Sequence, residues 1–224
     1  MVPGVRLVVL GKQGAGKGTQ AVRLSHHYVV PHVSTGDMLR AAVKAQTPLG
    51  RRAKALMDRG ELLPDELIME MVGERMAERD VQTRGLVLDG VPRTVNQAKM
   101  LDELLSPARL DLVIDLEVPT SQVLRRLAAR RVCVDCGTNY SVFAPPLVNW
   151  TCDICGGEVV QREDDTEAAI SRRLELYERQ TAPLLDWYRE AGILVPINGT
   201  GSPDVVTQRI IRAVDHRKRR QEGS

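Results

Sequence analysis

LVVLGKQGAGKGT, residues 7–19, joins a short apolar run to a glycine-rich turn that ends in a lysine and a hydroxyl residue. Gly11, Gly16 and Lys17 have the spacing of a phosphate-binding loop, in which backbone N–H groups wrap an anion. The run before the turn predicts a strand, and the residues after it predict a helix. The lysine would then lie beside phosphate oxygens at the N-terminus of that helix. An ordinary glycine turn would not be expected between such a strand and such a helix, so the stretch predicts nucleotide binding.

Apolar segments alternate with helical patterns along most of the chain. Strands that alternate with helices pair in parallel, so the pattern predicts an α/β fold with a doubly wound, five-stranded parallel sheet. The predicted strands are residues 6–10, 32–33, 86–89, 112–116 and 193–197. Helix starts are predicted at Thr47-Pro48, at a capping box of Thr94 and Gln97, and at Ser202-Pro203.

The composition is typical of an ordinary globular protein. Of the 224 residues, 43% are hydrophobic and 27% are charged, and the net charge is +2. This balance requires neither nucleic acid nor a membrane surface as a partner, and the few aromatic residues argue against a base-stacking surface. No apolar run reaches membrane-spanning length, and no targeting signal precedes the first strand. We therefore expect a cytoplasmic protein.

The cysteines form two Cys-x-x-Cys pairs separated by fifteen residues, Cys133 with Cys136 and Cys152 with Cys155. In a reducing compartment this spacing favours a four-thiolate zinc site over two disulfides. Four thiolates complete a tetrahedron, so the zinc is predicted to be structural rather than catalytic.

Two segments interrupt the alternation of strands and helices. Residues 34–63 are predicted to be purely helical, and residues 129–165 contain the cysteines and short β-like pieces. Both segments follow strands, on the side of the sheet where ligands bind in such folds. Loops at that edge can close over a bound phosphate, so we expect both segments to move.

Several further motifs, together with the glycine-rich loop, resemble the adenylate kinase family over nearly the whole chain. They are STGDMLR at 34–40, LDGVPRT at 88–94 with Gln97 after it, Arg126, Arg130 and Arg131 before the cysteines, and Arg162 and Arg173 after them. The resemblance implies a core P-loop nucleotide kinase domain of residues 1–33, 64–128 and 166–224. Residues 34–63 would be its NMP-binding insert, and residues 129–165 the zinc-bearing lid of the long bacterial form.

The resemblance also implies an activity and the residues that perform it. A monomer would transfer the γ-phosphate of MgATP reversibly to AMP, giving two ADP. The implied catalytic cations are Lys17, Arg93, Arg130, Arg162 and Arg173. The implied ATP-binding residues are Gly14, Ala15, Gly16, Lys17, Gly18, Thr19, Arg126, Arg130 and Gly201. The implied AMP-binding residues are Thr35, Arg40, Glu61, Leu62, Leu63, Gly90, Val91, Pro92, Arg93, Gln97, Arg162 and Arg173. Asp89 would hold Mg²⁺ through water, and Asp164 and Asp165 would help the lid to close.

Independent chemistry agrees with this set, because phosphoryl transfer needs positioning and dispersed positive charge, and the arginine fork donates paired bonds to phosphate oxygens. For some residues of this set, a purely structural role remains an alternative. Gln97 could serve only as a helix cap, residues 198–201 could be a plain turn, and Asp164 and Asp165 could be charges at a helix start.

Four residues depart from the family pattern: Gln13 stands in place of proline, Val91 of phenylalanine, Ala129 of glycine and Ser171 of arginine. We expect activity with altered acceptor affinity or altered closure kinetics. The alternatives are a UMP or CMP kinase, an inactive nucleotide-binding relative, and a nucleic-acid binder that uses the cysteine segment with the basic residues 216–220.

Overall fold

The computed structural model describes residues 4–58, 63–162 and 165–222. Its strands are β1 (Val5–Leu10), β2 (His32–Ser34), β3 (Gly85–Asp89), β4 (Leu112–Glu117), β5 (Arg130–Cys133), β6 (Asn139–Ser141), β7 (Val159–Val160) and β8 (Leu194–Asn198). Its helices are α1 (Lys17–Tyr28), α2 (Thr35–Lys44), α3 (Pro48–Asp58), α4 (Asp65–Met76), α5 (Arg79–Arg84), α6 (Val95–Leu105), α7 (Thr120–Ala129), α8 (Glu167–Leu176), α9 (Ala182–Glu190) and α10 (Pro203–Glu222). A π-helical turn, Tyr177–Thr181, joins α8 to α9.

The main sheet confirms the predicted α/β fold. It has five strands in the order β2-β3-β1-β4-β8, and every pair is parallel. Each strand end differs from the predicted one by at most one residue, and β8 is shifted by one residue at both ends. Pro196 lies within β8 and has no N–H to donate, which a strand at the edge of a sheet tolerates.

The core occupies both faces of this sheet. Leu7 and Val9 of β1 point to one face, whereas Val8 and Leu10 point to the other, because successive side chains of a strand alternate. Helices α1, α7 and α10 cover the first face, and α4, α6 and α9 cover the second. Both faces are therefore apolar, as a doubly wound sheet requires. Among the described residues, no helix is both long enough and apolar enough to cross a membrane.

The predicted caps begin their helices. Thr47 Oγ1 accepts a bond from Gly50 N at 3.0 Å, and Ser202 Oγ accepts one from Val205 N at 3.4 Å. Ser34, which the sequence did not mark as a cap, accepts a bond from Asp37 N at 3.3 Å at the start of α2. Thr94 Oγ1 accepts a bond from Gln97 N at 3.0 Å, as expected of a capping box. The reciprocal bond differs by one residue, because Gln97 Oε1 accepts from Arg93 N at 2.7 Å.

Two smaller units project beyond the carboxyl ends of the main strands. The described part of the first, after β2, consists of α2 and α3. The second forms a three-stranded antiparallel sheet in the order β6-β5-β7. The two units approach each other, because Lys44 Nζ of α2 lies 3.4 Å from Asp135 Oδ1 of the second unit.

Candidate active site

The glycine-rich turn between β1 and α1 has the backbone of an anion-binding loop. Gly16 has a φ of 103° and directly precedes the first residue of α1. A Cβ on Gly14, whose φ is 81°, would lie only 2.8 Å from Leu127 Cγ. Both positions therefore need glycine. The turn opens on the N-terminus of α1, where backbone N–H groups and the helix dipole favour an anion.

Lys17 folds back over this loop. Its Nζ donates to the carbonyl oxygens of Gly11 at 2.8 Å and Lys12 at 3.0 Å. Burial lowers the pKa of Lys17 to about 8, although the neighbouring carboxylate of Asp89 opposes that shift. The charge of Arg93 also lowers it. A polyphosphate at the loop would favour the charged ammonium, so binding of such an anion is coupled to the protonation of Lys17.

Asp89 ends β3 beside the start of α1. Its Oδ2 lies 3.2 Å from the place that a Cβ on Gly18 would occupy. Glycine at this position thus lets the helix start approach the carboxylate closely. His32 Nε2 lies 3.9 Å from the same oxygen, and burial lowers the pKa of His32. Asp89 is accordingly placed where a carboxylate could hold a hydrated Mg²⁺ beside bound phosphates.

Residues that were predicted to bind AMP lie close together at the turns after β2 and β3. A Cβ on Gly90 would lie 2.7 Å from Thr35 Oγ1 and 3.4 Å from Arg93 Nη2. Arg93 Nε also donates to the Gly90 carbonyl at 2.7 Å. Arg40, one helical turn along α2, pairs with Asp37 at the surface. The turns therefore bring Thr35, Gly90 and Arg93 into one group, with Arg40 on the neighbouring helix.

Three other predicted AMP-binding residues are largely enclosed by protein. Val91 is fully buried and packs into the core, and Pro92 beside it is also buried. Gln97 is 5% exposed, and its Nε2 donates to Asp65 Oδ1 at 2.7 Å. With Oε1 bonded to Arg93 N, both ends of the Gln97 amide are engaged within the protein in this conformation.

Part of the predicted set lies beyond what the structure describes. Glu61, Leu62 and Asp164 fall outside the described residues. Leu63 is half-buried and lies just before α4, and Arg162 is half-buried after β7.

Arg126 connects the glycine-rich loop to the loop after β8. Its Nη1 donates to Ala15 O at 3.0 Å, and its Nη2 donates to Gly199 O at 3.2 Å. Gly201, with a φ of 106°, follows in the second loop. Arg126 therefore connects the predicted ATP-binding residues 14–19 to the loop that contains Gly201, and Thr19 is exposed on α1.

Two further arginines converge beside the loop, Arg130 from β5 and Arg173 from α8. Arg130 Nε donates to Asp165 Oδ2 at 2.6 Å, and its Nη2 donates to the other carboxylate oxygen. The Asp165 side chain has no exposed surface, so this is a buried, bidentate ion pair. Desolvation lowers the pKa of Arg93, and the charge of Arg173 lowers it further. Arg93 and Arg130 act on the Lys17 ammonium and Arg173 acts on Arg93, so positive charge from distant parts of the chain gathers beside Lys17.

The cysteine sulfurs converge at one end of the small sheet. All four Sγ atoms lie within 4.8 Å of one another, and the pairs Cys133–Cys155 and Cys136–Cys152 lie 3.5 Å apart. The Tyr140 hydroxyl donates to Cys152 Sγ at 3.4 Å, which lowers the pKa of that thiol to about 6. This cluster could hold a metal ion as thiolates.

Sequence reasoning missed several residues that organise the site. Asp65 accepts bonds from Thr94 Oγ1 at 2.8 Å and from Gln97 at 2.7 Å, and Tyr140 supports Cys152. Lys44 Nζ of α2 lies 3.4 Å from Asp135 Oδ1 in the cysteine segment. Gln13 lies in the loop that the sequence identified, yet its side-chain partners are distant in sequence. No spacing signal marks any of these contacts.

The parallel sheet, the anion-binding loop at its first strand and the ring of cations define a phosphotransferase of the P-loop nucleotide kinase class. A protein-family model described as adenylate kinase matches residues 9–193. The chain is 52% identical over 205 residues to the adenylate kinase of Thermodesulfovibrio yellowstonii, covering 90% of this chain and 95% of that one. It is 49% identical over 213 residues to the adenylate kinase of Carboxydothermus hydrogenoformans, covering 94% and 99% of the two chains.

The chain therefore belongs to the adenylate kinase family. Enzymes of this family transfer a phosphoryl group between ATP and AMP to give ADP. The resemblance seen in the sequence is thus confirmed, and so is the prediction of a phosphotransferase.

Proposed function

We propose that this chain transfers the γ-phosphate of MgATP reversibly to AMP, giving two ADP, with the residue roles that the resemblance implies. One observation carries the assignment of roles: cations from four separate segments lie near one another at the start of α1, where Arg130 and Arg173 both contact Gln13 of the loop. They are Lys17 of α1, Arg93 after β3, Arg130 of β5 and Arg173 of α8. Such a set stabilises the charge that spreads over the transferred group in phosphoryl transfer.

On the donor side, residues 14–19 would wrap the ATP phosphates and Arg126 would border the adenine. The bonds from Arg126 to Ala15 and Gly199 support this role, because they hold the loop after β8 next to the phosphate-binding loop. Gly201 belongs to the same loop. Mg²⁺ would be held through water by Asp89, whose carboxylate lies against Gly18.

On the acceptor side, Arg40 and Arg93 would bind the AMP phosphate, beside Thr35 and Gly90. Arg162 and Arg173 would share that phosphate, and residues 61–63 and 91–92 would complete the pocket. Gln97 can read an adenine edge only if it exchanges its bond to Asp65 for one to the base. This exchange would explain selectivity. Adenine would replace the bond that Gln97 loses to Asp65, whereas another base would leave the Gln97 amide without a partner.

Closure of the two projecting units would exclude water from the reaction. The 3.4 Å approach of Lys44 Nζ to Asp135 Oδ1 supports the proposal, because it joins residues 34–63 to residues 129–165. The Arg130–Asp165 pair supports the lid-closing role of Asp165, and we extend that role to Asp164. We further propose a monomer that needs neither nucleic acid nor a membrane.

We propose that the metal of the cysteine cluster is zinc, and that its role is structural. A tetrahedral ion with Zn–S bonds of about 2.3 Å places its sulfurs roughly 3.8 Å apart. The 3.5 Å separations observed here are close to that value. The bond from Tyr140 would orient Cys152 and favour its thiolate form, as outer-shell partners commonly do.

A coupled assay of ADP formation tests the proposed reaction. With MgATP fixed and AMP varied, ADP should form in proportion to AMP consumed, and AMP should be preferred over UMP and CMP at equal concentration. ATP loss that does not depend on AMP would contradict the proposed reaction. A preference for UMP or CMP would contradict the proposed acceptor.

A further inference from the structure

Gln13 lies in the glycine-rich loop, between β1 and α1, and is half-buried. Its side-chain oxygen, in the amide orientation that satisfies the surrounding donors, accepts two hydrogen bonds. Arg130 Nη2 donates at 3.1 Å and Arg173 Nη1 donates at 2.7 Å. One atom of the loop therefore contacts a cation of the lid strand β5 and a cation of α8.

An amide oxygen suits this position for an electrostatic reason. Two guanidinium groups that converge on one site repel each other, and a shared acceptor with two lone pairs offsets part of that repulsion. Because the amide is neutral, Gln13 adds no ion pair to either cation and does not reduce the positive charge that they offer to a phosphate. Asp165 is the carboxylate that already pairs with Arg130. A carboxylate at the place of Gln13 would compete with the phosphate for both groups.

Arg130 is also held by the buried Asp165 through two hydrogen bonds, and its side chain is 18% exposed. The bond from Arg173 to Gln13 spans the gap between α8 and the loop, so it sets the distance of the Arg173 guanidinium from the phosphate-binding backbone. Loss of the Gln13 acceptor should thus displace the Arg173 guanidinium from the loop.

We propose that Gln13 is a positioning residue for phosphoryl transfer: its side-chain carbonyl holds Arg130 and Arg173 at the phosphate-binding loop before nucleotide arrives. The inference rests on the proposed function, because the two arginines matter only if they act on the transferred phosphate. Gln13 acts through them and does not itself need to touch substrate.

Two substitutions separate the hydrogen bond from the volume and charge of the side chain. Gln13→Leu keeps a similar volume and removes the acceptor. We expect kcat to fall about tenfold or more, with the KM for ATP and AMP changed less than threefold, since small displacements of catalytic groups have large effects on rate.

Gln13→Glu keeps the acceptor and adds a charge. It should lower kcat and also raise the KM for ATP. Gln122→Leu, the same substitution at an exposed position of α7, serves as the matched control and should change neither.

A readout that does not depend on activity comes from the guanidinium NMR signals of the nucleotide-free protein, assigned with Arg130→Lys and Arg173→Lys. Gln13→Leu should shift the Arg173 signal and speed its proton exchange with solvent, while Gln122→Leu should not. Unchanged signals for both arginines in Gln13→Leu, or a loss of kcat fully matched by a lower Tm, would overturn the inference. A wild-type protein without AMP-dependent ADP formation would instead refute the proposed function and leave the NMR test standing.

Discussion

Asp115 is a buried carboxylate within β4, and replacing it with asparagine should stabilise the protein. The residue is 7% exposed. Burial raises its pKa to about 6 from the ordinary 3.8, with Glu117 adding to that shift and Arg189 and Lys17 opposing it. At neutral pH the fold therefore carries the cost of a charge in a poorly solvated place.

The magnitude follows from the difference between the two pKa values. The shift of roughly two units corresponds to about 3 kcal/mol of unfolding free energy. Because the folded state holds its proton more tightly, that stability is present below pH 3.8 and is lost as the pH rises to about 6. Asp115→Asn should thus raise the unfolding free energy at pH 7.5 by up to about 3 kcal/mol, and have little effect near pH 3.5.

Urea unfolding of wild type and Asp115→Asn between pH 3.5 and 8 measures this difference directly. The matched control is Glu103→Gln, because Glu103 is an exposed carboxylate of α6 that takes no part in the shift of Asp115. It should change the unfolding free energy by less than about 0.5 kcal/mol at every pH. A destabilised Asp115→Asn at pH 7.5, or a gain that does not depend on pH, would refute the reasoning.

Three other predictions concern the loop, the lid and the metal. Lys17→Met should lower kcat/KM at least about a thousandfold by removing the charge at the phosphates, with an unchanged far-UV circular dichroism spectrum; activity near the wild-type level would contradict its role. Asp165→Ala should lower the unfolding free energy by about 3–5 kcal/mol in urea titrations, because it leaves the charge of Arg130 unpaired by Asp165 in a largely buried place. A change below about 1 kcal/mol would show that the pair is not buried in solution. Removing zinc with a chelator should lower the Tm and expose residues 129–165 to proteolysis before the core; elemental analysis that finds no metal in freshly prepared protein would contradict the zinc proposal.

The sequence predicted those features that depend on local spacing. The loop of residues 7–19 was readable because glycine, lysine and strand signals lie within a few positions of one another. The main strands were readable because they are short apolar runs buried on both faces. The cysteine cluster was predicted because its ligands come in close pairs on one small sheet.

Features that depend on distant packing were not predictable. Gln13 was recognised only as a departure from a family pattern, since its partners Arg130 and Arg173 lie more than a hundred residues away. The Gln97 amide binds Asp65, thirty-two residues earlier, and its reciprocal bond goes to Arg93 rather than to the cap residue. In both cases the three-dimensional course of the backbone determines which side chains meet, and no periodic pattern in the sequence indicates that course.

A crystal structure with a bisubstrate analogue, two adenosines joined by five phosphates, tests the central claim most directly. We predict that Lys17, Arg93, Arg130 and Arg173 each place a nitrogen within hydrogen-bond distance of the phosphate oxygens, and that residues 34–63 and 129–165 close over them. Guanidinium groups of Arg93 and Arg173 directed away from the phosphates would contradict the account.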